Sequence, residues 1–123
     1  TNNKNFIIVD AAMNNLIRPT LYDAFHCIEP VNKNNNHTIT ADIVGPICET
    51  GDYIALNREI NNVENNELLA IRTTGAYSSV MSSNYNARSN ANEVFIYNNK
   101  DYLIKETEII ENLIKKETLI KFD

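Results

Sequence analysis

Apolar residues come in short bursts along this chain. The first, Phe6-Ile7-Ile8-Val9, follows a polar Asn/Lys lead-in and predicts a buried strand. Asp10-Ala11-Ala12 turns the chain. Between residues 13 and 22, Leu16, Ile17 and Leu21 recur at roughly helical spacing. Pro19 cannot sit inside a regular helix, so this segment predicts a helical turn, a break and a second turn. Residues 24–31 read as a strand and the polar stretch 32–37 as a surface loop. Residues 38–44 alternate loosely and form a strand that ends at Gly45-Pro46.

A further strand starts at 52–56, and 58–66, rich in Asn and Glu, reads as a mixed connection. Residues 67–73 form a strand around Leu68-Leu69-Ala70-Ile71. It runs into Thr74-Gly75-Ala76-Tyr77, where glycine permits an abrupt change of direction. Residues 78–88 fit neither period. Residues 93–97 and 102–105 pair as a hairpin across Asn98-Asn99-Lys100-Asp101. Residues 107–116 place Ile109, Ile110, Leu113 and Ile114 on one helical face. Thr107 is the expected N-cap, with acidic residues in the first turn and Lys115-Lys116 in the last. The pattern predicts a mainly β chain of six to eight short strands, with short helical turns and a C-terminal amphipathic helix.

Composition narrows the classes. The 123 residues suffice for one domain with its own core, and neither a repeat nor a linker divides them. A net charge of −5, with scattered basic residues, argues against nucleic-acid or anionic-membrane surfaces. Two cysteines, Cys27 and Cys48, match no zinc template and make no disulfide framework, although one bridge between them stays open. No metal site is expected. With no signal-peptide pattern and no apolar run of membrane-spanning length, a reducing cytoplasmic setting is expected. The 21 asparagines cluster where loops are predicted, as in Asn34-Asn35-Asn36, and read as loop filler.

Candidate chemistry concentrates in Val44-Gly45-Pro46-Ile47-Cys48-Glu49-Thr50-Gly51-Asp52. Here a thiol and a carboxylate lie side by side between two chain breaks at a strand end. Locally, Cys48 also reads as small buried filler and Glu49 as a solvated turn residue. Arg18 and Tyr22, four apart, can project from one side of a helical turn, and a guanidinium fork beside a phenol suits a carboxylate. Their other reading is a surface Arg and a half-buried Tyr. Tyr77, after Gly75, either reaches out of the sheet or joins the core. His26 and His37 receive no role. The chain has three widely spaced glycines and no phosphate loop, so any phosphate-bearing cofactor must be held by something outside it.

Three longer stretches carry a resemblance: Val9-Asp10-Ala11-Ala12-Met13-Asn14-Asn15-Leu16-Ile17-Arg18-Pro19-Thr20-Leu21-Tyr22-Asp23-Ala24-Phe25-His26, the Val44 to Asp52 loop, and Thr74-Gly75-Ala76-Tyr77-Ser78-Ser79-Val80-Met81-Ser82-Ser83-Asn84-Tyr85-Asn86-Ala87-Arg88. Together they resemble the C-terminal domain of the diaminopimelate decarboxylases. These are fold-type III pyridoxal-phosphate enzymes that pair an N-terminal (β/α)8 barrel with a β-sandwich or barrel-like C-terminal domain. Met-Ser-Ser-Asn-Tyr-Asn separates this family from ornithine and arginine decarboxylases. Thr50 stands where Ser is usual, and Ala12 where glycine is common.

The resemblance implies that residues 1–123 are the C-terminal β domain and that the barrel, with its Schiff-base lysine and phosphate loops, is absent from this chain. It implies a half-site: Cys48 as proton donor, Glu49 for the substrate's distal ammonium, Arg18 and Tyr22 for its distal carboxylate, and Tyr77 against both substrate and cofactor. The implied cofactor is pyridoxal 5'-phosphate, held mainly by the barrel, and the implied partners are that barrel, a second subunit of a homodimer and a small amino-acid substrate. The expected reaction converts meso-2,6-diaminopimelate to L-lysine and CO2 in lysine biosynthesis, and the chain alone is expected to be inactive. Two alternatives remain open: a non-catalytic β-rich interaction module that kept the motifs, and a related decarboxylase acting on carboxynorspermidine.

Overall fold

Alternation in Thr38–Val44 decides where the core sits. Ile39, Ala41 and Ile43 share one face of this strand, and Ile43 is fully buried. The computed structural model describes residues 4–32 and 37–122. The first residues of the polar lead-in and most of the 32–37 loop, Asn34-Asn35-Asn36 included, lie outside them. In chain order the elements are β1 (Asn5–Ile8), α1 (Arg18–Tyr22), β2 (Ile28–Pro30), β3 (Thr38–Val44), β4 (Tyr53–Asn61), β5 (Leu69–Ile71), α2 (Gly75–Met81), β6 (Glu93–Tyr97), β7 (Lys100–Lys105) and α3 (Ile110–Ile114). A 3-10 turn at Tyr85–Ala87 precedes β6.

The chain divides into two compact units, Thr1–Ser82 and Ser83–Asp123, where the hydrophobic pattern had marked no boundary. In the first, β1 runs parallel to β3, and β3 pairs antiparallel with β4; β2 and β5 form a separate antiparallel pair. Leu16, Ile28, Ile43, Ile54, Ala55 and Ile60 make the core, flanked by partly buried Ile7, Val9, Ile39, Leu69 and Ile71. The sheets are open, and no barrel closes among the described residues.

Several expectations change, among them the strand expected at 67–73, of which only Leu69–Ile71 forms. The strand expected to start at 52–56 runs on to Asn61, through what looked like a connection. Its alternation is broken because Asn57 takes a positive φ of 48° and the β3–β4 register shifts there, so Ala55 and Ile60 both face the core although an odd number of residues apart. Asp42 accepts the Asn57 N–H at 2.8 Å, satisfying a donor that the bulge takes from the ladder. Of the strand expected at 24–31 only β2 forms, because α1 ends in left-handed Asp23 and the chain reaches the sheet late. The helical turn, break and second turn expected around Pro19 are present. Residues 13–15 form a turn with the Leu16 N–H on the Ala12 carbonyl at 3.1 Å, and the break falls at Leu16-Ile17. Pro19 sits in the first turn of α1, where its missing N–H costs nothing. The sharp change of direction before Tyr77 is made by Thr73 at φ 59°, not by Gly75, which starts α2.

In the second unit, β6 and β7 pair across a two-residue turn, tighter than the four residues expected. Asn98 and Asn99 take φ of 49° and 57°, the type I′ geometry that matches strand twist. Lys105 pairs with Glu93 at 2.9 Å, and the Phe95 and Tyr97 rings stack with centroids 6.3 Å apart. The closing helix is one short turn, Ile110–Ile114, instead of ten residues. Thr107 does not cap it: its N–H and hydroxyl both donate to Asn92 Oδ1, at 2.5 and 2.8 Å. So few residues gain little from helical hydrogen bonds without a packed face, and Ile109, Ile110 and Ile114 stay exposed.

Candidate active site

Two local structures hold the five residues singled out by sequence. The first is α1. Its opening residue, Arg18, and its last, Tyr22, are one turn apart, and the guanidinium carbon lies 5.9 Å from the Tyr22 ring centroid. The helix α2 brings Tyr77 to the same group, with 4.7 Å from the guanidinium carbon to the ring centroid. Tyr77 thus projects from the first turn of a helix and not from a strand end. Both rings are within cation–π range, while 60% of Tyr22 and 52% of Tyr77 stays exposed. The buried Arg18 Nε has no hydrogen-bond acceptor among the described residues. A cation oriented by two phenol rings is suited to a carboxylate from outside the chain.

The second structure is the loop from β3 to β4. Ile47 is buried beneath it, while Cys48 and Glu49 are exposed, so Cys48 is not core filler. Both cysteines are free thiols. The loop closes through Gly45 N–H to the Asp52 carbonyl at 3.0 Å and Asp52 N–H to the Glu49 carbonyl at 3.0 Å. Glu49 Oε1 accepts the Gly51 N–H at 3.3 Å.

Asp52, read from sequence only as the end of the loop and the start of the next strand, is the hub of this loop. It is 4% exposed. One carboxylate oxygen accepts the N–H of Ile47 at 2.6 Å, and the other accepts that of Met13, 39 residues away, at 2.7 Å. A Cβ at Gly45 would fall on that carboxylate, so only glycine lets the chain approach it. A second tether runs from the Thr20 hydroxyl on α1 to the Gly51 carbonyl. Arg18, Tyr22 and Tyr77 therefore meet directly, and the Cys48-Glu49 loop is fastened to their segment through Met13 and Thr20. The clue to Asp52 was its place between Gly51 and an apolar strand, but nothing local names its partner.

His26 is structural. It is buried, its Nδ1 is 3.1 Å from the Arg72 carbonyl, and its own carbonyl accepts from Arg58 Nη1 at 2.7 Å. A groove of about 610 Å³ opens beside β1 and the 63–69 segment, lined by Phe6, Ile8 and Leu68 among others, and none of the five site residues borders it. Among the described residues no helix is long and apolar enough to cross a membrane, and no cluster of three metal-ligating side chains occurs.

The family model for the pyridoxal-dependent decarboxylase C-terminal sheet domain matches residues 1–75, which include the whole loop and α1. The chain belongs to this family of decarboxylases, as a part that contains the sheet domain. Within the family its relatives are diaminopimelate decarboxylases. The one from Neisseria meningitidis serogroup B is 52% identical over 114 residues, which are 93% of this chain and 27% of the relative. A crystal structure from Aquifex aeolicus superimposes with a TM-score of 0.93 at 48% identity, over 98% of this chain and 30% of that one. The Helicobacter pylori diaminopimelate decarboxylase complexed with L-lysine matches with a TM-score of 0.87 at 36% identity, over 95% of this chain and 29% of that one. The chain thus spans little more than a quarter of the length of the curated relatives it matches.

Proposed function

We propose that this chain is the C-terminal part of a diaminopimelate decarboxylase, which converts meso-2,6-diaminopimelate to L-lysine and CO2. The observation that carries the reading is the Arg18 guanidinium held beside the half-exposed rings of Tyr22 and Tyr77. Arg18 and Tyr22 receive the distal carboxylate of the substrate, and Glu49, one residue from the thiol, receives the distal ammonium. A far end bearing both charges needs one cation and one anion, and a plain diamine cannot use the first. When bound, pyridoxal phosphate supplies the electron sink for loss of CO2. Tyr77, with its exposed ring fixed by Arg18, is the group of this chain that fits against a planar pyridine. The phosphate and Schiff-base contacts fall to the barrel. Cys48 gives its proton to the carbon that has lost CO2, for which Sγ must come within about 3 Å of that carbon or one water away, and recovers a proton from solvent.

The complete enzyme works in this reading as a cytoplasmic homodimer in which the domain meets a barrel. The test is CO2 release by the full-length protein from meso-2,6-diaminopimelate and from L-ornithine. Release from the first alone, with KM raised by Arg18→Ala, is expected. Equal turnover of L-ornithine, or an unchanged KM in Arg18→Ala, would overturn the reading.

A further inference from the structure

We propose that Asp52 is the positioning residue of the site, holding the Cys48-Glu49 loop and the Arg18 segment in one register. The inference rests on the function proposed above. A carboxylate at a loop end would serve local folding if it bonded only locally. Asp52 does not: one oxygen takes the N–H of Ile47, the residue before Cys48, and the other takes the N–H of Met13, which heads the turn leading to Arg18. Each oxygen is committed to a different half of the site. Asp52 is buried, and its carboxylate lies directly against Gly45, where a Cβ would overlap it. The Thr20 hydroxyl on the Gly51 carbonyl runs parallel to this link, one residue away. The proton-donating thiol and the carboxylate-binding guanidinium are thereby spaced by one side chain that touches no substrate.

Two substitutions probe the link without touching either functional group. Asp52→Asn keeps shape but turns an amide NH2 toward a backbone N–H, so one of the two bonds is lost. Gly45→Ala pushes the carboxylate aside and leaves its chemistry intact. In the holoenzyme each is measured for kcat and KM on meso-2,6-diaminopimelate, cofactor absorbance, melting temperature, and the ratio of Cys48 to Cys27 alkylation by iodoacetamide. Misplacement of about 1 Å predicts a loss of about 100-fold in kcat/KM, divided between a lower kcat and a higher KM. The alkylation ratio changes, while absorbance and melting stay near those of the unsubstituted enzyme. Cys48→Ala, measured beside them, lowers kcat with little change in KM.

Unaltered kinetics and alkylation ratio in Asp52→Asn overturn the proposal. So does a parallel loss of melting temperature, cofactor and selectivity between the two thiols, which would make Asp52 a residue of the fold as a whole. If Asp52→Asn does not fold, Gly45→Ala decides by the same readings, and failure of both to fold also overturns the proposal. Full turnover in Cys48→Ala would instead sink the underlying functional reading, so the two failures are told apart.

Discussion

The Arg18 guanidinium carbon lies 4.7 Å from the ring centroid of Tyr77, on a helix that the intervening sheet brings alongside. Such a contact contributes about 0.5–2 kcal/mol, and its main effect is to fix where the charge points. On the function proposed above, Tyr77→Leu in the full-length protein should raise KM for meso-2,6-diaminopimelate several-fold through a loosened Arg18. Tyr77→Phe keeps the ring face and should retain most of that affinity. Steady-state kinetics on the two variants decide the matter, and equal KM values would show that the ring face is irrelevant.

On the same proposed function, Cys48→Ala in the complete enzyme should reduce turnover by orders of magnitude while the cofactor absorbance is preserved. General acid–base groups typically contribute about 10²–10⁴-fold, and the exposed thiol has no role in the core that its loss would disturb. Single-turnover CO2 release beside an absorbance scan provides the check.

Asp42 is buried beneath Lys4, with 2.5 Å between Nζ and Oδ2, and also accepts the Asn57 N–H. Lys4 is half exposed, so its own truncation to alanine should cost no more than about 1 kcal/mol. Asp42→Ala leaves the bulge N–H without its acceptor and should cost about 1–3 kcal/mol. Urea unfolding of both variants would test the ordering, and the reverse order would refute it.

Asn98 and Asn99 both occupy left-handed backbone. Asn99→Val should destabilise the β6–β7 hairpin by about 1–2 kcal/mol, whereas Asn99→Gly should match or exceed the parent. Amide hydrogen exchange at Phe95 and its partner Tyr102 reads this locally, and faster exchange in the glycine variant than in the valine variant would contradict it.

What the sequence reveals depends on whether a residue's partner is near in the chain. Phe6 to Val9 and the Ile39, Ala41, Ile43 alternation need only their neighbours, and both strands appear where the pattern placed them. The first is not buried as expected: Phe6 and Ile8 are exposed and only Ile7 and Val9 flank the core. The bulge at Asn57 inverts the parity of a single strand, and polar Arg58 and Glu59 then read as loop. Ile109, Ile110, Leu113 and Ile114 have helical spacing, but Thr107 is committed to Asn92, 15 residues earlier, so the expected cap is spent elsewhere. The site divides in the same way. Arg18 and Tyr22 are legible because one helical turn joins them, and Cys48 and Glu49 because two chain breaks frame them. Tyr77 was found through its motif, though its seat on a helix was not. Asp52 read only as a loop end and strand start because its defining contact is to Met13.

Because that contact joins two distant stretches, the Cys48-Glu49 motif is not a portable cassette. Moved to another scaffold as a nine-residue loop, it would arrive with a buried carboxylate facing no Met13 amide and a Gly51 carbonyl without its hydroxyl donor. The smallest heritable unit is the loop together with the 13–22 segment. Recombination within this domain therefore conserves the geometry only when the fragment carrying position 13 keeps a backbone N–H there and a hydroxyl at position 20.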